Sequence, residues 1–209
     1  MEKVTALLRQ VREAGEVSYP HGDDVILVDP IPETKPQGWC YEMYAPLSED
    51  DIAQLADGYR RHFPESLKEF YRLTNGMDLF DRQWRIFGMP VWAADYKQPM
   101  SLTFADGHRT THCPKNRLFF ALYQYGDDRQ IQLFFNTDDP DVDMPVYAAW
   151  YGDNEIIACW SSFENWFIDE HARMLQLYRD GDFTYSEIAG GKFQLRSIQF
   201  DTRPPQQKL

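Results

Sequence analysis

Four stretches of the chain repeat their apolar residues at the helical period. In Glu2–Ala14, Val4, Leu7, Leu8 and Val11 fall at i, i+3, i+4 and i+7, and Gly15 stands where a C-terminal glycine belongs. A second helix opens at Ser48, which can cap it; Asp51 sits at the reciprocal capping-box position, and Leu47 can staple against Ile52. Ile52, Leu55, Ala56 and Tyr59 form its apolar stripe, with Arg60 and Arg61 near the negative helix end. Pro64 suits the first position of a third helix, where a missing N–H has no consequence. Leu67, Phe70, Tyr71 and Thr74 continue its buried face, and Asn75-Gly76 ends it. The fourth helix spans about Ser161 to Tyr178, with Phe163, Trp166, Phe167, Met174 and Tyr178 on or beside one face.

Between the third and fourth helices the period becomes that of strands. Trp84–Gly88 is short and rich in strand formers. Leu118–Tyr125 and Ile131–Phe135 flank Gly126-Asp127-Asp128-Arg129, which reads as a hairpin. Bulky residues occupy both parities of the first of these strands, as in the middle of a sheet covered on both faces. Met144–Tyr151 and Glu155–Trp160, joined through Gly152-Asp153-Asn154, make a second hairpin. The pattern predicts an α+β domain, a mostly antiparallel central sheet packed with helices. Its core is expected over 47–178. An N-terminal helix and an irregular, proline-interrupted extension with a candidate strand at Val25–Val28 precede it over 1–46. A C-terminal extension follows over 179–209, where Lys192–Phe200 can add an edge strand ahead of a frayed tail. The stretch from Pro90 to Pro114 is long for a loop.

Composition narrows the class of protein. The chain has 209 residues, 43% hydrophobic and 15% aromatic, enough for a substantial core and against wholesale disorder. No apolar run approaches a membrane span, and Met1–Thr5 lacks the apolar region of a signal peptide. Three widely spaced cysteines, Cys40, Cys113 and Cys159, fit a reduced cytoplasmic protein better than a disulfide scaffold. The net charge of −12 disfavours binding to nucleic acid or anionic membrane.

The charge is unevenly spread. From Gln130 through Ala172 there is no lysine or arginine, against nine acids: Asp138, Asp139, Asp141, Asp143, Asp153, Glu155, Glu164, Asp169 and Glu170. If the loops carrying them converge, they form a negative field able to steer a cationic partner; otherwise they merely solvate loops and one helix face. Asp138, Asp139, Asp141 and Asp143 also have the hard oxygen donors calcium prefers, but they lack the loop glycine and distal glutamate of an EF-hand. His108, His112 and Cys113 are ligand types for zinc, without a second pair at motif spacing. No metal or cofactor is therefore expected. Nucleophile and phosphate-loop motifs are absent from the sequence. Trp84, Trp92, Trp150, Trp160 and Trp166 are candidate interface anchors, with Trp92 the one expected to be partly exposed.

The run Phe63-Pro64-Glu65-Ser66-Leu67-Lys68-Glu69-Phe70-Tyr71-Arg72-Leu73-Thr74-Asn75-Gly76, the strand Trp84–Gly88, the turn Tyr125-Gly126-Asp127-Asp128 and Ser161-Ser162-Phe163-Glu164-Asn165-Trp166-Phe167 follow in order. Together they resemble the SUKH superfamily, which includes fungal Smi/Knr-type cell-wall regulators, bacterial Syd proteins and many toxin-immunity proteins. The resemblance covers about Leu47 to Glu170. It implies an α+β fold and a non-catalytic role in protein–protein interaction, most often neutralising a toxin. The expected function is that of a cytoplasmic immunity protein occluding a basic toxin domain, with Asp127, Asp128, Asp138, Asp139, Asp141, Asp143 and Trp92 as contacts. The alternatives are a regulatory scaffold of the fungal type and an enzyme whose site has no sequence motif.

Overall fold

Short apolar segments, each broken by a turn, build one antiparallel sheet in the computed structural model, which describes residues 1–14, 16–17, 25–31, 38–59, 63–89, 99, 101–102, 116–125, 129–138, 144–153, 155–180, 183–186 and 192–195. The strands are β1 (Glu16–Val17), β2 (Ile26–Pro30), β3 (Trp39–Met43), β4 (Met77–Leu79), β5 (Trp84–Ile86), β6 (Arg117–Tyr125), β7 (Arg129–Asn136), β8 (Val146–Trp150) and β9 (Ile156–Trp160). They lie side by side in sequence order, every pairing antiparallel. Among the described residues four α-helices accompany them: α1 (Glu2–Ala14), α2 (Glu49–Tyr59), α3 (Glu65–Tyr71) and α4 (Phe163–Arg179). The α+β expectation holds. The segment before Leu47, read as largely irregular, contributes β1–β3 to the same sheet, and α1 packs on α4 and β2. Two later strands, β10 (Phe183–Ser186) and β11 (Lys192–Leu195), pair with each other in a separate two-stranded sheet.

The helices cover one face of the large sheet. Val4, Leu8 and Val11 of α1, Leu67, Phe70 and Tyr71 of α3, and Phe163, Trp166, Phe167 and Met174 of α4 join Met43, Met77, Leu79, Trp84, Ile86, Tyr123, Leu133 and Phe135 in one buried cluster. Each such side chain contributes about 1.5–3 kcal/mol by leaving water. Its centre is aromatic: Trp166 stands edge-on to Trp84 at 5.3 Å and to Phe120 at 5.0 Å, and its indole N–H donates to the Tyr123 hydroxyl at 3.1 Å. The mixed parity of β6 has a local cause. Register slips between Phe119 and Ala121, so Phe120 is an extra residue of a bulge. Phe120 stacks on Phe135 at 4.6 Å within the core, while Phe119 belongs to a separate cluster with Phe134 and Ala149.

Local signals place the helices. The Ser48 hydroxyl accepts from the Asp51 N–H at 3.2 Å, and the Ser48 N–H donates to the Asp51 carboxylate at 3.3 Å, closing the anticipated capping box. Pro64 is the N-cap of α3, one position before that anticipated, and its carbonyl accepts the first helical bond. At α4 the Ser162 hydroxyl caps by accepting from the Asn165 N–H at 3.2 Å.

The Thr-Asn-Gly end of α3 ties the helix to the sheet. Asn75 pairs with the backbone of Met89 in both directions, donating to its carbonyl at 2.8 Å and accepting from its N–H at 2.7 Å. Gly76 adopts φ +75°, and a Cβ there would lie 2.6 Å from the Ile86 carbonyl oxygen. Gly88 is held as closely, with a Cβ position 2.5 Å from two oxygens of Asn75.

Candidate protein-binding surface

In an antiparallel meander successive connections leave at opposite ends of the sheet. The β7–β8 connection, residues 137–145, therefore shares an end with the β9–α4 turn at Ser161-Ser162. The β6–β7 connection and the β8–β9 connection at Tyr151–Glu155 share the other. Asp138 is exposed, and its carboxylate accepts from the Asn116 side-chain amide at 2.6 Å. Asp153 and Glu155 are exposed at the opposite end, where the Glu155 N–H donates to the Asp153 carboxylate at 3.1 Å. Asp127, Asp128, Asp139, Asp141, Asp143 and Trp92 lie outside the described residues, as do His108, His112 and Cys113. In the sequence Asp127 and Asp128 fall between β6 and β7, and Asp139, Asp141 and Asp143 between β7 and β8.

Two of the nine acids in the base-free segment are neutralised inside the fold. Glu170 is buried and receives the Arg173 guanidinium through Nε at 3.0 Å and a terminal nitrogen at 2.5 Å. Glu164 caps α1. Burial works against its ionisation, but the Met1 amine at 2.8 Å and the Lys3 N–H at 2.9 Å outweigh it, holding the carboxyl below its usual range. Trp84 and Trp166 are buried in the core and so cannot anchor a partner, whereas Trp150 and Trp160 are half-buried.

A second charged constellation had no sequence signal beyond alternation in short strands. Strand register puts Glu42, Asp78 and Arg85 in one row across β3, β4 and β5, with Met43, Met77 and Ile86 in the next. Asp78, 1% exposed, receives Arg85 through two nitrogens at 3.0 and 3.3 Å, Arg82 at 3.5 Å and the Tyr44 hydroxyl at 3.3 Å. Burial, then the charges of Asp78 and Glu42, push the Tyr44 phenol well up, so it stays a donor. Arg82 comes from a turn in which Phe80, Asp81 and Arg82 all have positive φ (51°, 52° and 67°), a conformation costly without glycine. The Phe80 and Asp81 N–H groups hold that turn by donating to the carbonyls of Cys40 and Trp39 at 2.8 and 3.0 Å.

A third cluster is neutral and lies in the core. The Tyr41 hydroxyl sits 2.9 Å from His171 Nε2. Burial, reinforced by Arg179, lowers the imidazole pKa to about 4. Burial pushes the Tyr41 phenol up, and the adjacent Cys40 thiol to about 11. Each is therefore held in its uncharged form at neutral pH. Among the described residues no three or more His, Cys, Asp or Glu side chains are grouped to hold a metal ion, and no helix is long and apolar enough to cross a membrane.

The Asn75-Gly76 clamp, β5 and the Ser162-capped α4 are thus tied together around one aromatic core, and the sequence profile of the SMI1 / KNR4 family (SUKH-1) matches residues 46–169. The chain belongs to that family. No curated protein and no solved structure matches it significantly. SUKH domains are in general protein-interacting modules. In this SUKH-1 chain the matched region runs from Pro46, ahead of α2, into α4. The sheet continues outside it through β1–β3, and the Asp78 cluster joins β3 to strands of the matched region.

Proposed function

We propose that this SUKH-1 protein is a non-catalytic, cytoplasmic protein-binding domain, an immunity protein that occludes a basic toxin domain. The observation that carries this reading is the sorting of charge. The base-free segment neutralises Glu164 and Glu170 within the fold and leaves Asp138, Asp153 and Glu155 exposed at strand ends. Exposed acids beside few cations speed encounter with a cationic partner and select against anionic ones. β7 is eight residues long, so the two acidic ends lie roughly 25 Å apart, beyond the ~8 Å screening length of physiological salt. They act as two sites. In sequence, the connection that contains exposed Asp138 also carries Asp139, Asp141 and Asp143 and has the denser charge, and Asp127 and Asp128 fall between β6 and β7. Trp92 is the aromatic contact in this reading.

The test is affinity capture from native cytosol, and with basic toxin domains, at low and high salt. One stoichiometric partner, its association slowed at least ten-fold when Asp138, Asp139, Asp141 and Asp143 all become asparagine, supports the reading. Several weak partners lost in salt would favour the scaffold role of the fungal members. Full-rate association of the asparagine variant refutes the acidic contact.

A further inference from the structure

The large sheet ends on β9, whose sequence Ile-Ile-Ala-Cys-Trp contains no charge, proline or glycine. Sheet edges ordinarily carry lysine, proline or a covering element, because an open row of N–H and C=O groups templates another strand. At the opposite edge β1 is only two residues long. β9 has five residues, all at least partly exposed, and its sole strand partner among the described residues is β8. Ile156 is 48% exposed, and Tyr151 in the turn before it 47%; these are the large apolar side chains most open to solvent among the described residues. The register with β8 skips Ile157, so the regular ladder runs over Ala158–Trp160, which centres any added strand there.

Charge selects the occupant. The N-terminal end of β9 follows exposed Asp153 and Glu155. Its C-terminal end pairs with Val146, which follows the connection bearing Asp138, Asp139, Asp141 and Asp143. Asp169 is exposed on α4, which packs beside β9, and no lysine or arginine occurs from Gln130 through Ala172. A second copy pairing antiparallel would bring the Asp138–Asp143 connection of one chain towards Asp153 and Glu155 of the other, acid against acid.

We infer that β9 is a docking edge for an extended segment of a partner protein, a short β-branched stretch flanked by lysine or arginine, added as a tenth antiparallel strand. This rests on the reading that the acidic ends meet a basic partner and adds the backbone that receives it. Main-chain hydrogen bonds would supply affinity, and the flanking acids the selection for positive charge.

The probe is a nine-residue peptide alternating valine and threonine, with two lysines at each end, titrated into the full chain and followed by residue-resolved amide exchange. Exchange at the outward-facing amides of Ala158–Trp160 is expected to slow at least ten-fold at saturation. Methylating alternate backbone nitrogens of the peptide should weaken binding at least ten-fold, because charge and side chains remain while the donors are lost. Ile156→Lys, at an exposed position and checked for an unchanged melt, should weaken it comparably, and a glutamate-for-lysine peptide should not bind. If the methylated peptide binds as well as its parent, attraction is by charge alone: the edge proposal falls while the acidic contact stands. If the glutamate peptide binds equally with β9 protected, the basic occupant and the acidic contact both fall. Self-association through β9, or protection in the free chain that vanishes on deleting residues 196–209, also overturns the proposal.

Discussion

Lowering the pH should unfold this protein partly through one side chain. His171 is 7% exposed, its ring 5.7 Å from Tyr41 and parallel to Phe167 at 6.3 Å, with Nε2 2.9 Å from the Tyr41 hydroxyl. With both groups uncharged, they share one neutral hydrogen bond whose direction follows the imidazole tautomer, whereas an imidazolium can only donate and must carry its charge into the core. The folded pKa of about 4 lies below the unfolded value near 6.5, so the unfolded chain takes up the proton first as pH falls. The contribution is complete above about pH 7 and drains away between about pH 6.5 and 4. Linkage puts the loss at about 1.5 kcal/mol by pH 5.5 and about 2.5 kcal/mol by pH 4.5. The assay is urea unfolding of the native chain and of His171→Gln across that range. Glutamine keeps an acceptor for Tyr41 and does not titrate. Subtracting the two curves cancels the carboxylates common to both. The variant should be the less stable by about 1 kcal/mol at pH 7.5, and the order should reverse by pH 4.5. Parallel curves from pH 7.5 to 4.5 would refute the reasoning.

Other perturbations test other parts of the account. Asp78→Ala leaves Arg85 and Arg82 facing a buried void beside Glu42 and should cost about 2–4 kcal/mol in urea unfolding, Asp78→Asn clearly less. Gly76→Ala must place a Cβ 2.6 Å from a carbonyl oxygen at positive φ and should lose ~3 kcal/mol or more. Gly152→Ala, also at positive φ (80°) but facing open space, should lose only ~1 kcal/mol; equal losses would remove the steric argument. In a Cys113→Ser background the half-buried Cys159 should react with a thiol reagent well before Cys40. Cys40 is 2% exposed and raised to about 11, so it should react only as the chain opens, at a rate that rises with urea.

Period and turn chemistry were enough to find the helices, both hairpins and the α+β class, because each is written in neighbouring residues. Gly76 and Gly88 were legible as punctuation only. Their partners, Ile86 and Asn75, come close only when β4 pairs with β5, which brings Asn75 and Gly76 opposite the residues that follow Ile86. The strand β3 was hidden by its own burial: four of its five residues are buried, so its sequence offers Glu42 as its one charged position, and it follows a proline-rich run. The Phe80–Arg82 turn was invisible for the opposite reason. Left-handed residues are normally announced by glycine or asparagine, and here the backbone of β3 holds three others in place.

Charge shows most clearly why a sequence count falls short of a surface. Glu42, Asp78 and Arg85 alternate with apolar residues in their strands and so resemble solvent-facing positions. Register brings them side by side, and pairing lets Glu42 and Asp78 be buried. Glu164 and Glu170 belong to the same base-free run as Asp138 and Glu155, yet one caps α1 and the other is clasped by Arg173, the first base after the run. Asp138 on one side, and Asp153 with Glu155 on the other, separate by strand direction, since neighbouring connections of a meander must leave at opposite ends. On the reading proposed above, the stretch makes two smaller fields, one at each end of β9. A partner matching one field alone would gain speed of encounter. On the proposed docking, a partner with basic residues spaced to reach both would lie along β9, whose open edge offers it backbone groups.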